Sequence, residues 1–151
     1  MPHIEMRPIG FVRNDVKDKK DHSWGEELST IVLDESYRHG LTGLADFSHA
    51  IILTYLDKAA YDPDKHLQRR PQNRADMPLT GIFAQRAKDR PNPIGITAVQ
   101  IVAVDGCTLT VKGLDAVDGT PVLDIKPYYP VYDRKDATVP QWVDQLMEHY
   151  F

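Results

Sequence analysis

Strand-like segments, with no helical pattern between them, set the outer limits of what this chain can become. Seven runs are rich in Ile, Val, Thr and Tyr: IEMRPIGFV (4–12), LSTIVL (28–33), HAIILTYLD (49–57), GIFAQR (81–86), IGITAVQIVAV (94–104), CTLTVKGLD (107–115) and PVLDIK (121–126). Gly, Pro and Asp punctuate them, as expected where strands end in turns. Parallel sheets need long crossover helices, and none alternates with these runs, so an antiparallel sheet or barrel is preferred. Asp105-Gly106 between two alternating runs predicts a tight hairpin, and a second Asp-Gly stands at 118 and 119. The expected fold is mainly β: one antiparallel or mixed β-barrel with a short helix and a C-terminal helix.

The short helix is predicted over 34–41, with Asp34 as its cap and Gly40 as its end. The other begins with Thr138 as N-cap, Pro140 in the first turn and Gln141 completing a capping box; Trp142, Val143, Leu146, Met147 and Tyr150 then share a face. That face must pack on the barrel or on a second subunit. The chain of 151 residues divides accordingly into a barrel domain, 1–135, and a C-terminal helix, 136–151. The stretch 58–79 is the longest without periodicity, and long loops are commonly functional or mobile.

Several chemistries are disfavoured. Six histidines show no paired spacing and the single Cys107 joins none of them, so no metal is expected. No Ser sits in a nucleophile elbow and no Gly-rich phosphate loop precedes a helix. The lone thiol fits a reducing compartment, and the longest apolar stretch, AIILTYL at 50–56, is too short to span a bilayer, so a cytoplasmic protein without a membrane partner is expected. A net charge of −4 gives no general attraction for nucleic acid, leaving the basic window 65–90 as the local candidate, with Arg69, Arg70, Arg74 and Lys88 as RNA contacts. The alternative is a solvated basic loop.

The segment RAKDRPNPIGIT (86–97) is stiff and polar. Pro91 and Pro93 fix their own φ and push Arg90 and Asn92 into extended conformations, so the corner is preorganised and offers carbonyls and the Asn92 amide. Arg86 and Arg90 are near enough in sequence to grip one carboxylate or phosphate. The plain alternative is a rigid connector. In DGTPVLDIKPYYP (118–130), the two-residue strand period puts Asp124 and Lys126 on one face if Ile125 points inward, with Tyr128 as an aromatic wall. Here the alternative is a solvated ion pair.

GLTGLADFSH (40–49), GIFAQRAKDRPNPIG (81–95) and GLDAVDGTPVLDIKPY (113–128), together with PIGFVRND near the start, closely resemble the signature segments of the TrmO-like (TsaA-like, YaeB-like) family. The resemblance implies a β-barrel methyltransferase that uses S-adenosyl-L-methionine, works as a homodimer and methylates the exocyclic N6 amine of threonylcarbamoyladenosine beside the tRNA anticodon. By the same resemblance the cofactor would be held by Asp57 and Lys58, Arg86, Arg90, Pro93, Ile94, Gly95 and Ile96, and by Leu123, Asp124, Ile125, Lys126, Pro127 and Tyr128. The adenine of such a cofactor needs an apolar slot, for which Phe83 is the candidate beside Ile94 and Leu123. Asn92 and Asp124 are the catalytic candidates; Asn92-Pro93 resembles part of the motif with which adenine-amine methyltransferases accept from the target amine. Methyl transfer from a sulfonium is an in-line displacement in which positioning does most of the work, so no nucleophile is required. The chain departs from the family in two places. The loop KDKKDHSWGEE lacks the Arg found near the cofactor in similar proteins, and only one helix follows the barrel where full-length bacterial members carry a further domain. Two other readings stay open: transfer to a small molecule, and a non-catalytic module that binds S-adenosyl-L-methionine.

Overall fold

In the computed structural model, which describes residues 2–151, eight strands form: β1 (Gly10–Arg13), β2 (Leu28–Leu33), β3 (His49–Tyr55), β4 (Gln68–Arg69), β5 (Thr80–Gly81), β6 (Ile94–Asp105), β7 (Thr108–Lys112) and β8 (Pro121–Pro127). Six of them close into a barrel in the order β1-β2-β7-β6-β3-β8, every neighbouring pair antiparallel, while β4 and β5 form a separate ribbon. Closure leaves the barrel no unpaired edge strand, although parts of individual strands outrun their neighbours.

Alternation decides which side chains fill the interior. Val12, Ile31, Ala50, Ile52, Val99, Leu109, Val111 and Val122 point inward and are buried. Each large aliphatic side chain among them contributes about 1.5–3 kcal/mol through burial. Gly10 is required where β1 crosses β2: a Cβ there would lie 2.4 Å from the Val32 carbonyl oxygen.

The hairpin between β6 and β7 turns through Gly106 and Cys107, one residue later than the Asp105-Gly106 pair, with Gly106 at φ +61° and Asp105 still paired to Thr108. Gly119 supports the second Asp-Gly turn at φ +86°. Two expected strands change. Over 4–12 the regular strand begins at Gly10, with Ile9 still bonded to Val122 and Asp34 on either side, and Pro8 before it has no N–H to extend the ladder. GIFAQR is not a strand: only Thr80–Gly81 pairs, and Ile82–Ala84 then forms a 3-10 turn.

Asp34 caps as expected, its carboxylate accepting from the Ser36 amide, and Glu35–Leu41 follows as a 3-10 helix. Gly40 does not end it; the segment runs through Leu41, and Gly43 takes the left-handed turn at φ +87°. Two four-residue helices follow, α1 (Pro63–His66) and α2 (Pro130–Asp133). The C-terminal helix α3 (Gln141–Met147) starts without the capping box: Pro140 occupies the N-cap position and makes no side-chain cap. The last turn docks on the loop that precedes β2, where Ser23 and Trp24 amides donate to the carbonyls of His149 and Tyr150, each at 2.8 Å.

Candidate functional site

The first half of β6 has a neighbour on one side only. Ile94 to Val99 pair with β3, but the ladder to β7 begins at Gln100 paired with Lys112. Along this open edge several loops meet. Arg86 donates from its guanidinium to the Ile96 carbonyl at 2.9 Å, and Thr97 donates its hydroxyl to Asp115. The other Asp115 oxygen accepts from the Tyr150 hydroxyl at 2.6 Å. Burial, and then the Asp115 charge, push the Tyr150 phenol above its ordinary range.

The loop that carries Asp115 is tied to the N-terminal loop. Asn14 donates from its amide side chain to Ser29 Oγ at 2.9 Å and to the Ala116 carbonyl at 2.8 Å, and its backbone N–H donates to Asp118 at 2.9 Å. Lys17 pairs with Asp118 at 2.8 Å, and Lys58 donates to the Lys17 carbonyl at 3.1 Å. The Lys17 ammonium and then the Asn14 amide hold Asp118 below the usual carboxylate range. One rim therefore gathers Lys58, Arg86, Ile96, Thr97, Asp115, Asp118 and the 14–24 loop: guanidinium and ammonium groups beside carboxylates and carbonyl oxygens.

The proline corner is braced from within. Leu56 donates to the Pro93 carbonyl at 2.7 Å and Ile94 to that of Asn92 at 2.7 Å, which holds Asp57 and Lys58 next to the corner. Arg90 does not join Arg86: its guanidinium turns to the carbonyls of Gln85 and Ala87 at 2.9 and 3.1 Å. Gly95 faces inward, and a Cβ there would stand 2.5 Å from Thr54 Oγ1, so packing demands glycine at this position. Asn92, Ile94 and Ile96 are exposed on the corner and along the outer face.

On β8 the expected alternation is present. Ile125 packs against the core, while Asp124 and Lys126 face out as an ion pair at 3.1 Å. Leu53 of β3 pairs with Ile96 on one side and with Asp124 on the other, so these three lie in one row across the outer face. Leu123 falls at the register shift between β3 and β8. Pro127 pairs with Ala50, and Tyr128 lies beyond it at the far end of β3 from Tyr55 and the corner. Asp124 thus sits two strands from the rim, and Tyr128 stands apart from Arg86 within the chain. Phe83 is 79% exposed on its 3-10 turn and builds no slot.

The cations expected to meet RNA already have partners. Arg74 grips Asp76 through two bonds of 3.0 and 2.7 Å, Arg70 donates to the Met77 carbonyl, and Arg69 and Lys88 approach Asp89 at 3.9 and 3.2 Å. Burial opposes the Asp89 charge, but the Ala60 amide and Lys88 outweigh it and hold the carboxyl below its usual range. The Asp89 cluster ties the 58–79 loop to residues 88–89, while Arg74 and Asp76 pair within the loop at its surface.

Sequence reasoning gives Thr97, Asp115, Asp118, Asn14 and Tyr150 no role in a site. The inward parity of Thr97 on β6, with the polar GLDAVDG loop downstream, was the available signal.

The chain has clear relatives among known proteins. The tRNA-methyltransferase O N-terminal domain family matches residues 19–134. A Pyrococcus abyssi (strain GE5 / Orsay) protein named as a probable S-adenosyl-L-methionine-binding protein is 34% identical over 149 residues, covering 92% of this chain and 76% of its own. The Mus musculus tRNA (adenine(37)-N6)-methyltransferase is 42% identical over 95 residues, covering 63% of this chain but 22% of its own. Among solved structures, TrmO from Pseudomonas aeruginosa superposes with a TM-score of 0.76 at 30% identity, over 95% of this chain and 64% of that one. The chain thus spans less than two thirds of the solved relative and under a quarter of the mouse enzyme. With a family match that runs from the N-terminal loop through β8, the chain belongs to the tRNA-methyltransferase O N-terminal domain family.

Proposed function

We propose that the chain binds S-adenosyl-L-methionine at the open edge of β6 and transfers its methyl group to the N6 amine of an adenosine in tRNA. The observation that carries this reading is the rim itself, where Lys58, Arg86, Ile96 and Asp115 converge from four separate segments. The donor set fits the cofactor. Arg86 is exposed and reaches its carbonyl partner with a single bond, which leaves N–H groups for a carboxylate. Carbonyl oxygens and the Asp115 and Asp118 carboxylates favour a neighbouring positive charge.

When bound, S-adenosyl-L-methionine supplies an electrophilic methyl on a sulfonium. The protein's contribution is placement: the Pro91-Asn92-Pro93 corner fixes the start of β6, and β3 holds it in register. Asn92 is exposed beside that edge and is the candidate acceptor for the target amine. Asp124, two strands away, serves the site from the outer face or across a pair of subunits; a homodimer is part of this proposal. Incubating the protein with methyl-labelled cofactor and bulk tRNA from a strain lacking the modification, followed by nucleoside analysis, tests it. Label in N6-methylated adenosine is the expected result, and unlabelled tRNA with bound cofactor overturns it.

One observation favours a second reading. The Pyrococcus abyssi relative, whose printed name claims binding alone, is matched over far more of its length than the mouse methyltransferase. Cofactor binding without transfer to any RNA, or transfer to a small molecule, is what that reading entails.

A further inference from the structure

At the end of β3 opposite the proline corner, a groove of about 760 Å³ opens on the outer face of the barrel. Its walls are aromatic. Phe47 and Tyr129 stack with centroids 6.0 Å apart and planes 27° apart, and His49 and Tyr128 lie 6.3 Å apart at 58°. The Tyr128 amide donates to the His49 carbonyl at 3.1 Å, and Ser48 Oγ lies 2.7 Å from His49 Nδ1, so the second pair is held in place. Asp133 accepts from the Tyr129 amide at 2.8 Å and anchors the α2 turn. Beyond it Arg134 lines the groove, and among the described residues its guanidinium has no hydrogen-bond or ion-pair partner. Lys135 stands 5.6 Å from the exposed Tyr132 ring nearby.

The groove shares a strand with the cofactor rim. Ala98 forms part of its wall, and Ile96, whose carbonyl holds Arg86, is two residues away on the same face of β6.

We propose that this groove seats an unstacked nucleobase of the RNA, the nucleotide adjoining the acceptor adenosine. The inference rests on the tRNA reading above and adds where the strand lies. Tyr129 and Phe47 offer the platform on which a base stacks, and Arg134 meets the adjoining phosphate. Asp46, also on the wall, accepts from an exocyclic amino group. A partner of this kind explains why aromatic rings and an unpaired guanidinium are displayed together here while the arginines of the 58–79 loop are committed to internal partners.

The test is fluorescence anisotropy with a labelled anticodon stem–loop RNA and the same RNA made abasic at the nucleotide beside the acceptor. Tyr129→Ala weakens binding of the intact RNA about 5- to 150-fold, the range for one lost base stack. It leaves the abasic RNA unchanged, and Tyr129→Phe restores the wild-type value. Arg134→Ala lowers the salt dependence of binding by about one phosphate contact. Calorimetry with S-adenosyl-L-methionine gives the same affinity for wild type and Tyr129→Ala. Equal losses on both RNAs, or no loss, overturn the proposal. So does dissociation of a dimer by Val131→Asp with RNA affinity intact, which makes the groove a contact between copies. If wild type binds the cofactor but neither RNA, the tRNA reading fails first and this inference falls with it.

Discussion

Tyr150 donates its hydroxyl to Asp115 at 2.6 Å, and the same carboxylate accepts from Thr97 on β6, so the last turn of the chain is joined to the edge that carries the candidate site. The Phe151 ring lies close to Gly25 and Gly113, and a Cβ on Gly25 would stand 2.8 Å from it. Docking of the C-terminal segment and the shape of the rim are one structural unit.

Tyr150→Phe removes the hydroxyl and leaves the packing of the ring. A hydrogen bond to a charged group contributes about 1.5–3 kcal/mol, which for a domain of this size lowers Tm by roughly 3 to 12 °C. Calorimetric melting at neutral pH checks it.

The same contact has a pH signature. The folded Tyr150 phenol is held above its ordinary range, whereas the unfolded phenol gives up its proton near 10.0. Below that pH both states are protonated and the stabilisation is fully present; above it the unfolded state loses the proton first, so stability falls. Denaturant titrations from pH 9 to 11.5 should show a steeper decline in wild type than in Tyr150→Phe; identical slopes would mean that burial and Asp115 do not hold the Tyr150 phenol above its ordinary range in solution.

Arg86→Ala weakens S-adenosyl-L-methionine binding by about 1.5–3 kcal/mol, roughly ten- to hundredfold or slightly more, with little change in Tm because the side chain is exposed. Isothermal calorimetry reads this directly. Near-normal affinity would take Arg86 out of the site.

Pro93→Ala loosens the corner through the unfolded state and through the freedom of residues 91–94. Turnover should fall more than Tm. Unchanged turnover beside a lowered Tm would show that the two prolines serve folding alone.

Cys107 Sγ lies 2.8 Å from Glu35 Oε2, and that hydrogen bond to the carboxylate pushes the thiol above its usual range. Glu35→Gln removes the negative charge and should speed alkylation of Cys107 by iodoacetamide at pH 8. No acceleration would mean that the contact does not persist in solution.

The barrel was legible because β2, β3 and β7 carry clean inside–outside alternation between turn residues; LSTIVL coincides with Leu28–Leu33. GIFAQR misled because Ile82 and Phe83 read as a strand pair, yet Gln85 turns its side chain to the carbonyls of Arg69 and Thr80 at 2.8 Å each and bends the segment away from any ladder. The stiffness of RPNPIG was visible in its prolines. What sequence could not give was partnership across distance: Arg90 bonded to its own loop, and Thr97, Asp115 and Tyr150 joined over separations of 18 and 35 residues. Hydrogen-bond partners so far apart leave no local periodicity to read.

Strand β6 runs unbroken for 12 residues, with Ile96 beside the Arg86 rim and Ala98 in the aromatic groove. Its rungs to β3 lock the interval between those two places, so the molecule behaves there as a fixed gauge. Under the proposed tRNA reading, a strand that occupies both places is held to the two-residue interval between Ile96 and Ala98.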